Sequence, residues 1–325
     1  MSGAAPRIAV LIPCFNERAA IGTVVAEMRA ALPDATVFVY DNNSTDGTAE
    51  AAAAAGAVVR HEPLQGKGHV VRRMFADIEA DIYVLVDGDD TYEAAAAPRM
   101  VELLRARGLD MVTGARSGGA AAYRRGHRLG NRVLTRLVAA IFGDRVGDML
   151  SGYRVLSRRF VKSFPALAGG FEIETELTVH ALELDMPIGE LPTAYKERPP
   201  GSASKLSTIR DGVRILRTIL VLVKEERPLP FFGLAAAVLL VAGLGLFAPV
   251  LATYLETGLV PRLPTAVLSL GLVLLSFLSL ACGLILETVT RGRKEMKRIA
   301  YLAIPGPAAL AERRLPTAGA EQAGR

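Results

Sequence analysis

Two apolar stretches near the C-terminus constrain this 325-residue chain more than any other feature. Leu229 to Leu255 contains no charged residue, and neither does Leu263 to Leu286. Each exceeds the roughly 20 residues that a helix needs to cross a bilayer core. A helix that is apolar all round belongs in lipid or at the centre of a large core. An adjacent pair points to a membrane hairpin, with a buried hairpin of a soluble core as the alternative. Both stretches are too long and too late in the chain for a signal peptide, and nothing resembling one precedes Arg7. They are the local cause of a mean hydropathy of +0.31.

The flanking charges predict an orientation. The linker Glu256 to Arg262 holds one acid and one base, whereas Lys224 and Arg227 precede the first stretch and Arg291, Arg293, Lys294, Lys297 and Arg298 follow the second. Basic flanks stay on the cytoplasmic side. The expectation is a multi-pass inner (cytoplasmic) membrane protein with both termini in the cytoplasm. The net charge of +5 fits attraction to an anionic leaflet. No basic stripe interleaves with aromatics, so nucleic acid is not an expected partner. Leu206 to Val223 sets Ile209, Val213, Leu216, Ile219 and Leu220 against Arg210, Arg214 and Arg217, which reads as an interfacial amphipathic helix. Gly233, Gly243 and Gly245 permit close helix packing, which leaves a homo-oligomer open. Cys14 ends a strand and Cys282 lies in the second stretch, so no disulfide is expected. The tail after Pro305 reads as disordered.

The N-terminal part alternates apolar strands with helical spacing. Strands are predicted at Ile8–Ile12, Thr36–Tyr40, Ala57–Val59, Ile82–Val86 and Met111–Thr113, with helices at Ala19–Leu32, after Thr48, at His69–Glu79 and at Pro98–Arg107. Ser44 or Thr45 is the expected cap of the second helix. Strands apolar on both faces, separated by helices, make a parallel sheet covered on both sides. Ligands of such sheets bind beyond the carboxyl ends of the strands. Glu17, Asp41, Asp87, Asp89 and Arg116 each follow a strand, which puts them on one rim. Asp87-Gly88-Asp89-Asp90 crowds three acids at a strand end, an arrangement that Mg²⁺ or Mn²⁺ would compensate. The alternative is a solvated acidic turn, and the shared rim favours metal.

Further on, the signals are weaker. Gly66-Lys67-Gly68 is no Walker loop, yet a glycine loop with a cation before a helix can approach phosphates; it can also be a plain turn. Arg124, Arg125, Arg128, Arg132 and Arg136 recur at helical spacing, as a basic face or merely a solvated one. Gly147 to Arg154 reads as a polar connection. Phe171 to Glu176 opens a helix whose acids suit the helix dipole. Ile188–Pro192 reads as a short edge strand, and Arg198 to Lys205 as a stiff polar loop.

Taken in order, Pro13-Cys14-Phe15-Asn16-Glu17, Asp41 to Thr48, Gly66-Lys67-Gly68, Asp87-Gly88-Asp89 and Ser151-Gly152-Tyr153-Arg154 resemble family 2 glycosyltransferases of the GT-A fold. The resemblance is greatest to the polyprenyl-phosphate branch, similar to dolichol-phosphate mannose synthases and bacterial polyprenyl-phosphate glucosyltransferases. Arg198, Ser204, Lys205 and the two apolar stretches also fit that branch. The fold this implies is α/β: a Rossmann-like, mainly parallel GT-A sheet with helices on both faces, then an amphipathic helix and two transmembrane helices. The implied segments are a GT-A domain over 1–205, a juxtamembrane segment over 206–228, a hairpin over 229–290 and a basic tail over 291–325.

The resemblance also implies roles. Pro13, Phe15 and Glu17 line the nucleotide pocket, Asp41 bonds the base, and Lys67 and Gly88 lie on the nucleotide-sugar side. Asp87 serves ribose and metal, and Asp89 ligates Mg²⁺ or Mn²⁺ directly. Arg116, with Arg128 or Arg132, holds the acceptor phosphate, with Arg198, Ser204 and Lys205 beside it. Asp148 matches an acid proposed as a base. Where several relatives have a third ligand, a glutamine, this chain has Thr91, and Asp90 replaces an apolar residue. The expected reaction is inverting transfer from a UDP- or GDP-linked sugar to undecaprenyl or dolichyl phosphate. A phosphate ester with a second pKa of about 6 is already anionic, so Asp148 is either a base or an orienter of Arg154 or the acceptor arginines. The alternatives are transfer to a hydroxyl of a glycolipid or polysaccharide, and a non-catalytic membrane-tethered nucleotide-sugar binder.

Overall fold

The computed structural model describes residues 6–117, 147–170, 172–197, 220–221 and 223–307. The chain divides into two compact units, Met1–Val213 with Lys297–Arg325, and Arg214–Met296.

The first unit is built on a seven-stranded sheet. Its strands are β1 (Ile8–Cys14), β2 (Thr36–Asp41), β3 (Val58–His61), β4 (Ile82–Leu85), β5 (Met111–Ser117), β6 (Arg154–Ser157) and β7 (Ile188–Ala194), in the order β3-β2-β1-β4-β6-β5-β7. All are parallel except β6, which runs antiparallel to both β4 and β5. The carboxyl ends of the other six strands therefore share one rim, and the start of β6 meets them there. Strand β7 is an edge, as its mixed sequence predicts. Strand β6 is the element the sequence did not announce. It has only four residues and opens on a buried arginine, too little for a period-2 pattern to register.

Alternation along β1 shows how the sheet is covered. Val10 and Ile12 join one core with Ile21, Val25 and Met28 of α1 (Arg18–Ala31) and Met100 and Leu104 of α4 (Ala97–Ala106). Ala9 and Leu11 join the opposite core with Val70, Met74 and Phe75 of α3 (Lys67–Asp77). Phe160 of α5 (Arg158–Ser163) and Leu177 of α6 (Ile173–Glu183) complete that second core. Successive side chains of a strand point to opposite faces, so one apolar run feeds both layers. Helix α2 (Thr48–Ala54) starts after Gly47, which adopts φ 87°, and neither Ser44 nor Thr45 caps it. Their polar groups bond Asn16 instead, as described below.

The second unit contains α7 (Pro228–Thr257) and most of α8 (Leu263–Leu302), both long and apolar enough to cross a membrane. The buried residues of α7 include Ala236, Gly243 and Val250; those of α8 are Ser269, Ser276, Gly283 and Thr290. A seven-residue repeat keeps one seam facing a partner helix, and small residues bring the backbones close. A Cβ on Gly243 would lie 2.9 Å from Val273 Cγ2 and 3.2 Å from the Ser269 carbonyl oxygen. Gly233 and Gly245 have nothing within 4 Å of such an atom, so of the three only Gly243 serves this seam. Helix α8 runs on through the basic stretch after Leu286. Of the expected interfacial helix, only Leu220, Val221 and Val223 are among the described residues.

Candidate active site

Cross-links between the loops after β1 and β2 build the first wall of the rim. Asn16 N donates to Ser44 Oγ at 2.8 Å, Thr45 N to Asn16 Oδ1 at 2.8 Å, and Glu17 N to Thr48 Oγ1 at 2.9 Å. Asn16 and Asn43 adopt left-handed φ values of 52° and 65°, which asparagine tolerates better than most residues. Pro13 and Phe15 lie in this wall, half-buried, and Glu17 is buried at its base. Asn42 ties the wall to the next loop: its Nδ2 donates to the Glu62 and Leu64 carbonyls and its Oδ1 accepts from Gly66 N at 2.7 Å.

Asp41 sits at the end of β2. One carboxylate oxygen accepts from Ser44 N at 3.1 Å, while buried Oδ1 has no hydrogen-bond partner among the described residues. An orphaned buried acceptor costs about 1–3 kcal/mol, a penalty that a ligand N–H would relieve. The ring N–H of a nucleobase has the required chemistry.

The acids after β4 have separate surroundings. A Cβ on Gly88 would lie 2.5 Å from Cys14 Sγ, and one on Gly152 would lie 2.2 Å from Asp87 Oδ2. Both glycines thus make room for the Asp87–Asp89 loop. Asp89 is buried, and its Oδ1 accepts from Thr91 Oγ1 at 2.6 Å and Thr91 N at 3.3 Å. Thr91 thus buttresses Asp89. Asp90 takes a left-handed φ of 56° and its carboxylate lies 3.4 Å from Lys196 Nζ.

Lys67 opens α3 and reaches into this acid group. Its Nζ lies 2.5 Å from Asp87 Oδ1 and also bonds Glu174 Oε1 of α6. Burial acts to lower the Lys67 ammonium, but Asp87 and Glu174 together outweigh it and raise it above the usual lysine range. Burial raises the Glu174 carboxyl, and Lys67 only partly offsets this. The neighbouring glycines have a packing role: a Cβ on Gly66 or Gly68 would lie 2.2 or 2.0 Å from the carbonyl oxygens of Gly169 and Ala168.

Arg116, near the end of β5, meets Asp148 in a bidentate pair. Nε and Nη2 each donate to a different carboxylate oxygen at 2.7 Å, and Arg116 N adds a bond of 3.2 Å. Glu190 Oε1 steadies the acid's loop by accepting from Gly147 N and Asp148 N. The Arg116 guanidinium lies 5.6 Å from the Tyr195 ring centre. Arg154, fully buried, donates to the carbonyls of Ser151, Met149 and Glu174 and to Thr178 Oγ1. It is a strut between the 149–151 connection and α6.

Of the residues expected from the sequence, Pro13, Phe15, Glu17, Asp41, Lys67, Asp87, Gly88, Asp89, Arg116 and Asp148 gather on this rim. Arg128, Arg132, Arg198, Ser204 and Lys205 lie outside the described residues. Glu174 is the addition. Its sequence signal was only that of a first-turn helix acid, and its partner Lys67 is 107 residues away. Its neighbours do other work: Glu176 accepts from Leu167 N and Ala168 N, as an acid holding a turn.

Asp87 and Asp89 are hard oxygen donors suited to Mg²⁺ or Mn²⁺. Among the described residues no group of three or more His, Cys, Asp or Glu side chains is placed to hold a metal ion. The Lys67 ammonium at Asp87 shows that the carboxylate already faces positive charge.

A mainly parallel seven-stranded sheet with Asp41, Asp87, Asp89 and the Lys67 ammonium gathered on its carboxyl rim has the GT-A architecture of glycosyltransferases. The model of "Glycosyl transferase family 2" matches residues 9–164. Glycosyltransferase AglJ of Haloferax volcanii is 35% identical over 299 residues, which is 91% of this chain and 98% of AglJ. The chain therefore belongs to glycosyltransferase family 2. The "Dolichyl-phosphate hexose transferase" of the same organism is 29% identical over 221 residues, 68% of this chain and 95% of that protein. Among solved structures, glucosyl-3-phosphoglycerate synthase from Mycobacterium tuberculosis in complex with Mn²⁺, UDP and glucosyl-3-phosphoglycerate is similar. It is 25% identical with a TM-score of 0.55, covering 67% of this chain and 79% of that one.

Proposed function

We propose that this glycosyltransferase moves a sugar from a nucleotide sugar to a polyprenyl-type lipid monophosphate, at the membrane face where its basic flanks lie. The observation that carries the reading is the bidentate Arg116–Asp148 pair. Asp148, the acid that the family resemblance offers as a general base, is held by an arginine at two oxygens. A hydroxyl acceptor must lose a proton to become a good nucleophile. A lipid phosphate is already anionic and needs instead a cation to bring it against an acidic rim. Arg116, oriented by Asp148, suits that task, and Arg128, Arg132, Arg198, Ser204 and Lys205 are proposed to share it. The dolichyl-phosphate substrate named for one relative agrees with this acceptor class.

On the donor side, Asp41 accepts an N–H from the base, and Pro13, Phe15 and Glu17 shape its pocket. Asp89 and Asp87 hold a divalent cation, which when bound supplies Lewis-acid stabilisation of charge on the leaving diphosphate. Lys67 adds a fixed positive charge beside the same group. The Mn²⁺ and UDP bound by the mycobacterial relative support this donor chemistry. Attack by the phosphate oxygen on the anomeric carbon inverts its configuration. The short loop between α7 and α8 is proposed to face away from the cytoplasm, and both termini towards it.

The test incubates the full-length chain in membranes with polyprenyl phosphate, Mg²⁺ or Mn²⁺ and a panel of UDP- and GDP-sugars, then extracts lipid-linked sugar. Transfer to lipid phosphate is expected. The Asp148→Asn variant should retain turnover while its KM for the acceptor rises about tenfold, because Arg116 loses one of two charge-assisted bonds. Transfer only to a hydroxyl lipid, abolished by Asp148→Asn, would overturn the acceptor assignment. Metal-dependent nucleotide binding without any glycolipid product would make the protein a binder rather than an enzyme.

A further inference from the structure

Glu174 has no place in the scheme above, yet its side chain is buried in the middle of it. Lys67 Nζ sits between Asp87 Oδ1 and Glu174 Oε1. The Lys67 and Glu174 side chains are only 9% and 8% exposed, whereas Asp87 is 28% exposed and opens to the rim. An ammonium has three N–H donors. Among the described residues two are spent on these carboxylates, which leaves one for an incoming phosphate oxygen. Two carboxyl groups thus share one ammonium.

The position of Glu174 is enforced from several sides. Its carbonyl oxygen accepts from Arg154 Nη2 at 3.1 Å and Thr178 Oγ1 at 3.0 Å. Helix α3, which carries Lys67, is pressed against Ala168 and Gly169 through Gly66 and Gly68. Neither partner can drift far. The bridge thus links the first turns of two helices directly behind the first acid of the Asp87–Asp89 pair.

We infer that Glu174 is a positioning residue that shares Lys67 with Asp87, so that Asp87 keeps charge available for a metal-bound diphosphate. Without the second carboxylate, Lys67 would relax onto Asp87 alone and neutralise it. The lysine would then compete with a cation for the same oxygen, and its third N–H would lose its aim. This inference rests on the donor-site reading above.

The experiment measures binding rather than turnover. Full-length chain in detergent is titrated with UDP and with GDP, each with and without Mn²⁺, by calorimetry, and bound Mn²⁺ is followed by electron paramagnetic resonance. Glu174→Gln keeps the shape and removes the charge. It should weaken Mn²⁺-dependent nucleotide binding by about tenfold, the scale of outer-shell effects on metal affinity. In a Lys67→Met background the same substitution should change binding little, since the partner through which it acts is gone. With substrate, the donor KM should rise more than the acceptor KM. Melting temperature, recorded in parallel, separates misfolding from lost affinity. Wild-type affinity in a folded Glu174→Gln protein would overturn the inference, as would an undiminished loss in the Lys67→Met background. A folded wild-type chain that binds neither nucleotide with Mn²⁺ would overturn the donor site itself, and this inference with it.

Discussion

Asp110 offers a sharp test of how the first unit is held together. Its carboxylate is fully buried and accepts from Ser157 Oγ at 2.6 Å, Arg159 Nε at 2.5 Å, Arg159 Nη2 at 2.7 Å and Tyr301 OH at 2.7 Å. Tyr301 belongs to the last turn of α8, and its ring lies 4.6 Å from the Arg159 guanidinium carbon. Tyr301→Phe removes one of these bonds and leaves the ring over Arg159. A hydrogen bond to a charged group contributes about 1.5–3 kcal/mol, so the expected loss is about 2 kcal/mol. For a unit of about 200 residues, each kcal/mol lowers the melting temperature by about 2–4 °C, giving a drop of about 4–8 °C. Arg159→Met should cost more, about 3–5 kcal/mol, because it strands a buried charge. Differential scanning calorimetry of the full chain in detergent is the assay, since the protein has no tryptophan to report. A shift below about 1 °C for Tyr301→Phe, with no larger loss for Tyr301→Ala, would show that Tyr301 is not seated on Asp110.

Three further outcomes follow from the packing and the charges. Gly88→Ala should abolish Mn²⁺-dependent nucleotide binding, because its Cβ meets Cys14 Sγ at 2.5 Å, and adding Cys14→Ala should restore part of it; calorimetry checks both. Gly243→Leu should destabilise the helix pair by about 1–3 kcal/mol through overpacking, while Gly245→Leu should be neutral, as read from detergent melting curves. His180, in contact with Phe160 and Phe164, is pushed down to about 3 by burial, with Lys297 adding to the effect. Its folded form binds fewer protons than the unfolded chain below the ordinary value of 6.5, so its contribution is complete above that pH and is lost as pH falls towards 3. His180→Leu should therefore flatten the decline of melting temperature on acidification; an unchanged slope would refute the assignment.

Much of this architecture is legible in the sequence alone. The alternation of apolar strands and helices in residues 8–113 set the covered sheet, and acids placed after successive strands set the rim. The two uncharged stretches set the long helices. Strand β6 was hidden because four residues around a buried arginine look like a loop. Asp90 has no role assigned from the sequence, and its left-handed φ and its pairing with Lys196 come from the structure alone. The first-turn acids of α6 looked interchangeable, though Glu174 meets Lys67 while Glu176 holds a turn.

What the sequence determined by itself was periodicity, apolar length and charge at strand ends, which depend on near neighbours. The tertiary structure alone decided which charges meet. Lys67 and Glu174 are 107 residues apart, Asp110 and Tyr301 are 191 apart, and Arg116 and Asp148 are 32 apart. A buried charge must find a partner somewhere. Local sequence shows that the need exists, whereas the identity of the partner depends on how distant segments close on one another. For the acids of the rim, that closure separates Asp90, paired at the surface, from Asp87, shared with a lysine beside the expected donor.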